Sequence, residues 1–230
     1  MILNVSTYRF VEIDDPHALR YTLHERARQQ GLKGTVLLAH EGINLFLAGE
    51  PGALKAWLDA LRADTRFAGL AAKESFSRTQ PFQRLKVKVK REIIRMNLPT
   101  LRPATERPPA VDARTLARWL AQGHDDAGRA VVMLDTRNGF EVDEGACDGA
   151  IDWRLNKFSD FPAALAAQAE TLRDKTVVSY CTGGIRCEKA ALVMRDLGLA
   201  HSFQLEGGIL KYFEDTGGQA PGWRGRCFVF

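Results

Sequence analysis

The 230-residue chain has only four cysteines (Cys147, Cys181, Cys187 and Cys227), too few for a disulfide framework. No two of them form a C-x-x-C pair, which argues against a structural zinc site. No apolar run approaches the roughly 20 residues that a bilayer span requires, and the first ten residues lack a basic start followed by an apolar stretch. The expectation is a cytoplasmic protein with no membrane partner. G-x-G-x-x-G and P-loop patterns are also missing, which argues against a nucleotide cofactor. Histidine is scarce, at five residues, and the one H-x-D pattern, His124-Asp125-Asp126, lies in a Gly-flanked polar stretch. It reads as a solvated loop rather than as half of an iron triad. From the residues alone, then, no metal site and no cofactor are evident.

Hydrophobic residues at 45% and charged residues at 26% are near the averages for folded proteins, so neither disorder nor a fibrous class is indicated. The length suggests two domains. Residues 97–110 hold four of the nine prolines with no apolar period, and they are read as a linker between a domain at 1–96 and another at 111–230. The formal charge of +4 is unevenly spread: the first 96 residues carry 16 Lys and Arg against 10 Asp and Glu, the remainder 16 against 18.

In the first segment a strand from Ile2 leads to Asp14-Asp15-Pro16, where an Asp cap and a first-turn proline start a helix. Strands at 35–39 and 45–48 flank Glu41-Gly42-Ile43-Asn44 as a hairpin, and Leu54, Trp57, Leu58 and Leu61 have helical spacing. Strand-like stretches near 72–77 and 83–96 complete a βαββαβ order, the ferredoxin-like arrangement. After the linker, short, largely apolar strands with no charged residue (Ala130–Leu134, Thr176–Tyr180) alternate with helices. This pattern predicts an open α/β sheet with ligands beyond the strands' carboxyl ends.

Cys181 stands at one such end. It is followed by Thr182, Gly183, Gly184 and Ile185, then Arg186 and a helix. The two glycines permit N–H groups to converge on one centre, the helix start adds positive potential, and Arg186 adds a full charge. All three favour a thiolate, the reactive form of cysteine. The spacing C-x4-R is one residue shorter than the C-x5-R of protein phosphatases and suits a compact group on sulfur better than a phosphoester. Cys187 reads as a helix-packing residue, with a resolving thiol as the alternative. Structural roles are expected for Cys147 and Cys227.

Arg84, Lys86, Lys88 and Lys90 alternate with Leu85, Val87 and Val89, so a strand here places the cations on one face, with Arg91 beside them. Such a stripe is either an ordinary solvated face or a phosphate-binding one.

Leu134-Asp-Thr-Arg137, the Cys181 loop and Leu205-Glu-Gly-Gly-Ile209 resemble the three hallmark segments of rhodanese domains. Those segments combine with Gly34-Thr-Val-Leu-Leu-Ala-His-Glu-Gly-Ile-Asn44, Lys86-Val-Lys-Val-Lys-Arg-Glu-Ile-Ile94 and Cys227-Phe-Val-Phe230. The whole set resembles the rhodanese-containing tRNA uridine hydroxylases across nearly the entire chain. That resemblance implies a ferredoxin-like domain followed by a rhodanese-like one. It also implies oxygen-dependent hydroxylation of a wobble uridine to 5-hydroxyuridine, with Cys181 as the required residue, molecular oxygen as cosubstrate and tRNA as partner. Asp135 and Arg137 are expected to tie the strand end to neighbouring loops. With the resemblance, the basic stripe is better read as contacting the tRNA backbone. A sulfurtransferase carrying sulfur as a Cys181 persulfide, and a noncatalytic RNA-binding protein, are the competing readings.

Overall fold

A computed structural model describes residues 1–228, so the last two residues of the Cys227–Phe230 segment lie outside the described part. The chain forms two compact units, Met1–Arg95 with Arg102–Thr105, and Met96–Leu101 with the residues from Glu106 onward. No helix among the described residues is long and apolar enough to cross a membrane.

The first unit runs β1 (Ile2–Phe10), α1 (Pro16–Gln29), β2 (Lys33–Ala39), β3 (Gly42–Gly49), α2 (Pro51–Arg62), β4 (Lys73–Ser77) and β5 (Leu85–Val89). The sheet order is β4-β1-β3-β2-β5. The first four strands form the expected ferredoxin-like sheet. The basic segment is not its final strand but a fifth, pairing parallel with β2 in the register Val36↔Val87. It ends at Val89, well short of residue 96. The β2–β3 connection is also tighter than the sequence suggests, because β3 begins at Gly42.

Alternation explains which side of the sheet is buried. Leu3, Val5, Val36, Leu38, Ile43, Leu45, Leu47 and Val87 enter one core with Leu19 and Leu23 of α1 and with the helical set Leu54, Trp57, Leu58 and Leu61. The Trp57 indole N–H donates to Leu23 O across the two helices (3.3 Å). As an edge strand, β5 is guarded by its exposed Lys86 and Lys88, and by Arg20, whose Nε–H donates to Val87 O (2.9 Å). Asp15 occupies the start of α1, but its side chain makes no cap and binds Arg66 Nη1 instead (2.6 Å).

The second unit contains β6 (Ala110–Val111), α3 (Ala113–Gln122), β7 (Val131–Asp135), α4 (Gly139–Glu144), β8 (Gly145–Cys147) and β9 (Ile151–Asp152). It continues with α5 (Phe161–Gln168), β10 (Thr176–Tyr180), α6 (Ile185–Asp196), β11 (Ser202–Leu205), α7 (Gly208–Asp215) and β12 (Trp223–Gly225). Its main sheet is parallel, in the order β6-β11-β10-β7-β9, and β12 pairs with β8. Every residue of the central β10 is buried, as a strand covered on both faces must be. Val178 and Tyr180 share a cluster with Leu116 and Trp119 of α3 and with Ile209 and Tyr212 of α7. Asp135, Tyr180 and Leu205 end three adjacent parallel strands, so the segments that follow them meet at one edge of the sheet.

Two glycines of the first unit are forced by strand crowding. A Cβ on Gly34 (φ 129°) would lie 2.0 Å from Phe46 O, and one on Gly42 (φ 148°) would lie 2.1 Å from Arg9 O. Gly34→Ala is expected to destabilise the protein by about 2 kcal/mol or more, through strain and displaced strand backbone. Urea unfolding followed by far-UV circular dichroism checks this, and an unchanged midpoint would contradict it.

Candidate active site

Strand β10 delivers Cys181 to the sheet edge, where its side chain is wholly buried. The Gly184 N–H donates to its Sγ at 3.1 Å. Of the loop's two glycines only Gly184 takes a left-handed conformation (φ 103°), and Gly183 has open space where a Cβ would stand. The loop's carbonyls are fixed from the third segment: Ile209 N–H donates to Cys181 O (2.9 Å) and Leu210 N–H to Thr182 O (3.1 Å). This approach explains Gly208 (φ 68°), since a Cβ there would come within 2.6 Å of Cys181 O and 2.7 Å of Gly184 N.

Burial opposes ionisation of Cys181. A hydrogen bond from the Cys187 thiol, the charge of Arg186 and the backbone N–H groups of Arg186 and Gly184 outweigh it and hold the thiol down at about 5. Cys187 behaves oppositely: its own burial and the neighbouring Cys181 push it well above the ordinary thiol range. Cys147 on β8 is pushed up to about 12 by burial, which makes it an inert packing residue.

Arg186 is engaged differently from the simple expectation. Its Nη1 and Nη2 donate to Glu141 Oε2 (2.6 Å) and Oε1 (2.9 Å) in a two-pronged ion pair whose side chains are only 12% and 8% exposed. Its charge still acts on Cys181, but these donors are spent on Glu141. The same carboxylate accepts from the Thr182 hydroxyl (3.3 Å) and the Asn138 N–H (3.0 Å), so it joins the start of α4 to the cysteine loop. Burial disfavours the charged form of Glu141, yet the Arg186 pair and the Asn138 N–H keep it below the usual carboxylate range. The sequence reading missed Glu141. Its only signal was its position four residues after Arg137 in the strand-end segment.

Asp135 and Arg137 do tie loops together. The Arg137 guanidinium, fully buried, donates Nη2–H to Asp135 (2.6 Å) and to Gly145 O (2.7 Å), and lies 5.5 Å from the Tyr180 ring and 5.1 Å from that of Trp223. His124-Asp125-Asp126 is a structural loop. Asp125 accepts from Thr176 and from the Ala127 and Arg129 N–H groups, while Asp126 pairs with Arg118. Phe140, next to Glu141 on α4, is 55% exposed and meets Phe228 edge to face. Arg84, Lys86, Lys88, Lys90 and Arg91 are all exposed, and they belong to the first unit.

Two measurements probe this geometry. Alkylation of Cys181 by iodoacetamide, followed by peptide mass spectrometry, is expected to be flat from pH 6 to 8 and to fall about tenfold per unit below a midpoint near 5. Opening of the loop scales the rate, but the closed, dominant form sets the midpoint. A midpoint above 8 would contradict the geometry. Glu141→Gln leaves a buried guanidinium without its counter-charge and is expected to cost about 3 kcal/mol in urea unfolding. A loss below about 0.5 kcal/mol, the scale of an exposed pair, would show that the pair carries no structural weight.

Residues 2–93 match the family described as UPF0176 acylphosphatase like domain, and residues 105–215 match the Rhodanese-like domain. The chain is 63% identical over 229 residues to the tRNA uridine(34) hydroxylase of Delftia acidovorans, covering 100% of this chain and 86% of that protein. It is 61% identical to that of Variovorax paradoxus, with 100% and 86% covered. Identity to that of Bordetella avium is 60%, with 100% and 94% covered. With a two-domain architecture of this kind and identity at this level along its whole length, the chain belongs to the tRNA uridine(34) hydroxylase family.

Proposed function

We propose that this chain hydroxylates carbon 5 of uridine 34, the wobble base of tRNA, in the cytoplasm, with dioxygen as cosubstrate and Cys181 as the reacting side chain. The observation that carries this reading is the Gly184 N–H donated to Cys181 Sγ at 3.1 Å, which with the Cys187 thiol and the Arg186 charge favours the thiolate against burial. A sulfur that stays ionised at neutral pH is an electron-rich nucleophile, and the amide beside it stabilises an anionic or oxygenated sulfur equally well. Thr182, Gly183, Gly184 and Ile185 shape the loop around it. Arg186 acts as a positioning residue: its charge favours the thiolate while Glu141 fixes where that charge sits. Phe140 offers an exposed ring face for a base to stack on.

The first unit supplies affinity. Arg84, Lys86, Lys88, Lys90 and Arg91 present cations along an edge strand, and unbroken like charge at alternate positions is relieved by phosphates. Their contacts go to the tRNA backbone and carry no base specificity. Sulfur transfer from a Cys181 persulfide would use the same loop and is separated by its product.

Mass spectrometry of tRNA nucleosides from cells carrying wild-type or Cys181→Ala protein is expected to show 5-hydroxyuridine and its derivatives only with wild type. Equal levels would overturn the proposal, as would cyanide-dependent sulfur release combined with unaltered nucleosides. Replacing Lys86, Lys88 and Lys90 with Glu is expected to weaken tRNA binding and lower its log–log salt slope by about two to three units. Unchanged binding reduces the stripe to a solvated face.

A further inference from the structure

Gly184 holds two thiols of very different character. Its N–H binds Cys181 Sγ (3.1 Å), and its carbonyl accepts from the Cys187 N–H (3.0 Å), so both cysteines attach to one residue of the loop. Neither sulfur is exposed to solvent. Thr136 Oγ1 lies 3.7 Å from Cys187 Sγ. The Thr136 hydroxyl donates its own proton to Tyr180 O (3.0 Å), which leaves the Cys187 thiol proton to the hydrogen bond with Cys181. Cys181, by contrast, is the ionised partner. A low thiolate beside a protonated second thiol is the arrangement found in dithiol redox pairs.

The proposed hydroxylation has a requirement that this pair meets. One oxygen atom of dioxygen enters the C5–H bond of the base, and the other leaves as water only if two electrons and two protons are supplied. We infer that Cys181 and Cys187 together are the two-electron reductant of the hydroxylation, Cys187 being the second catalytic thiol. This inference rests on the hydroxylase reading above. The balance is one base C–H, one dioxygen and two thiols giving one base C–OH, one water and one Cys181–Cys187 disulfide. The base and the dithiol are oxidised by two electrons each, and dioxygen is reduced by four. The two thiol hydrogens leave in the water. On the cysteines, an oxygen carried by Cys181 as sulfenic acid is displaced when the Cys187 sulfur attacks, forming the S–S bond and releasing water. A dithiol reductant then restores both thiols by exchange. Cys147 takes no part, since it stands on β8 with its N–H on the Tyr180 hydroxyl, outside the Cys181 loop.

The test uses the full chain, reduced and then freed of reductant, mixed with tRNA lacking the modification in air-saturated buffer. About one 5-hydroxyuridine per chain is expected before the reaction stops, together with a peptide pair joining Cys181 to Cys187 and 2 Da lighter than the dithiol form. Dithiothreitol should restore repeated turnover. Cys187→Ser should complete that one turnover but leave Cys181 as sulfenic acid, 16 Da heavier and trapped by dimedone, in place of the disulfide, while its Cys181 alkylation midpoint before the reaction stays within two units of wild type, well below that of an ordinary thiol, showing an intact loop. Wild-type product formed while both cysteines stay reduced would overturn the inference and leave the hydroxylase reading standing. So would product from Cys187→Ser with no sulfenic acid left on Cys181. A wild-type protein that makes no 5-hydroxyuridine with or without dithiothreitol, though its loop alkylates normally, would overturn the hydroxylase reading and the inference with it.

Discussion

The second unit depends on the close approach of α7 to the cysteine loop. The carbonyls of Cys181 and Thr182 each accept an N–H from the first residues of that helix, and the approach is so tight that position 208 has no room for a Cβ. With its carbonyls turned to α7, the loop leaves N–H groups on the side of the Cys181 sulfur, and the Gly184 amide reaches it. A strand end, a left-handed glycine and a neighbouring helix start thereby produce a concentrated backbone dipole at one sulfur.

Two buried ion pairs then divide the work around the loop. Asp135 and Arg137 lock the end of β7 to the β8 backbone beneath Tyr180 and Trp223. Glu141 and Arg186 join α4 to the loop itself, and the same carboxylate closes the Asn138 and Thr182 donors. Pairs this deeply buried add little net stability over an apolar replacement, but losing one member leaves an uncompensated charge, so each fixes geometry firmly. The pairing also moderates the field at Cys181. Arg186 remains close enough to favour the thiolate, while Glu141 offsets part of its charge.

Much of this was legible in the sequence because it follows from local rules. Alternation of Leu85, Val87 and Val89 with Lys86 and Lys88 gave β5 its faces, the spacing of Leu54, Trp57, Leu58 and Leu61 gave α2 its buried side, and the uncharged, β-branched-rich Thr176–Tyr180 marked the central strand. What was hidden is tertiary. Glu141 meets Arg186 across 45 residues, and no periodicity announces such a pairing. Gly34 and Gly208 are required by backbones that only the fold brings near. The stretches 72–77 and 83–96 both read as strands closing a βαββαβ unit, and that the second is a fifth strand added to the sheet is decided only by its parallel pairing with β2. Cys187 looked like a packing residue, and it is buried like one. Its distinction lies in which sulfur and which hydroxyl lie beside it.

The proposed separation of labour between the units has a physical basis. A solvated row of cations gives long-range, salt-sensitive attraction to a polyanion, whereas the sulfur chemistry needs a dry, fixed setting that such a row cannot offer. The joining claim, that a thiolate loop of this kind puts an atom of dioxygen on the wobble base, is tested most directly by isotope. Purified protein and unmodified tRNA are incubated under ¹⁸O-labelled dioxygen, and the released nucleoside is weighed by mass spectrometry. The expected product is 5-hydroxyuridine heavier by 2 Da, absent with Cys181→Ala. Product carrying only the oxygen of water, or labelled product formed equally without Cys181, would contradict it.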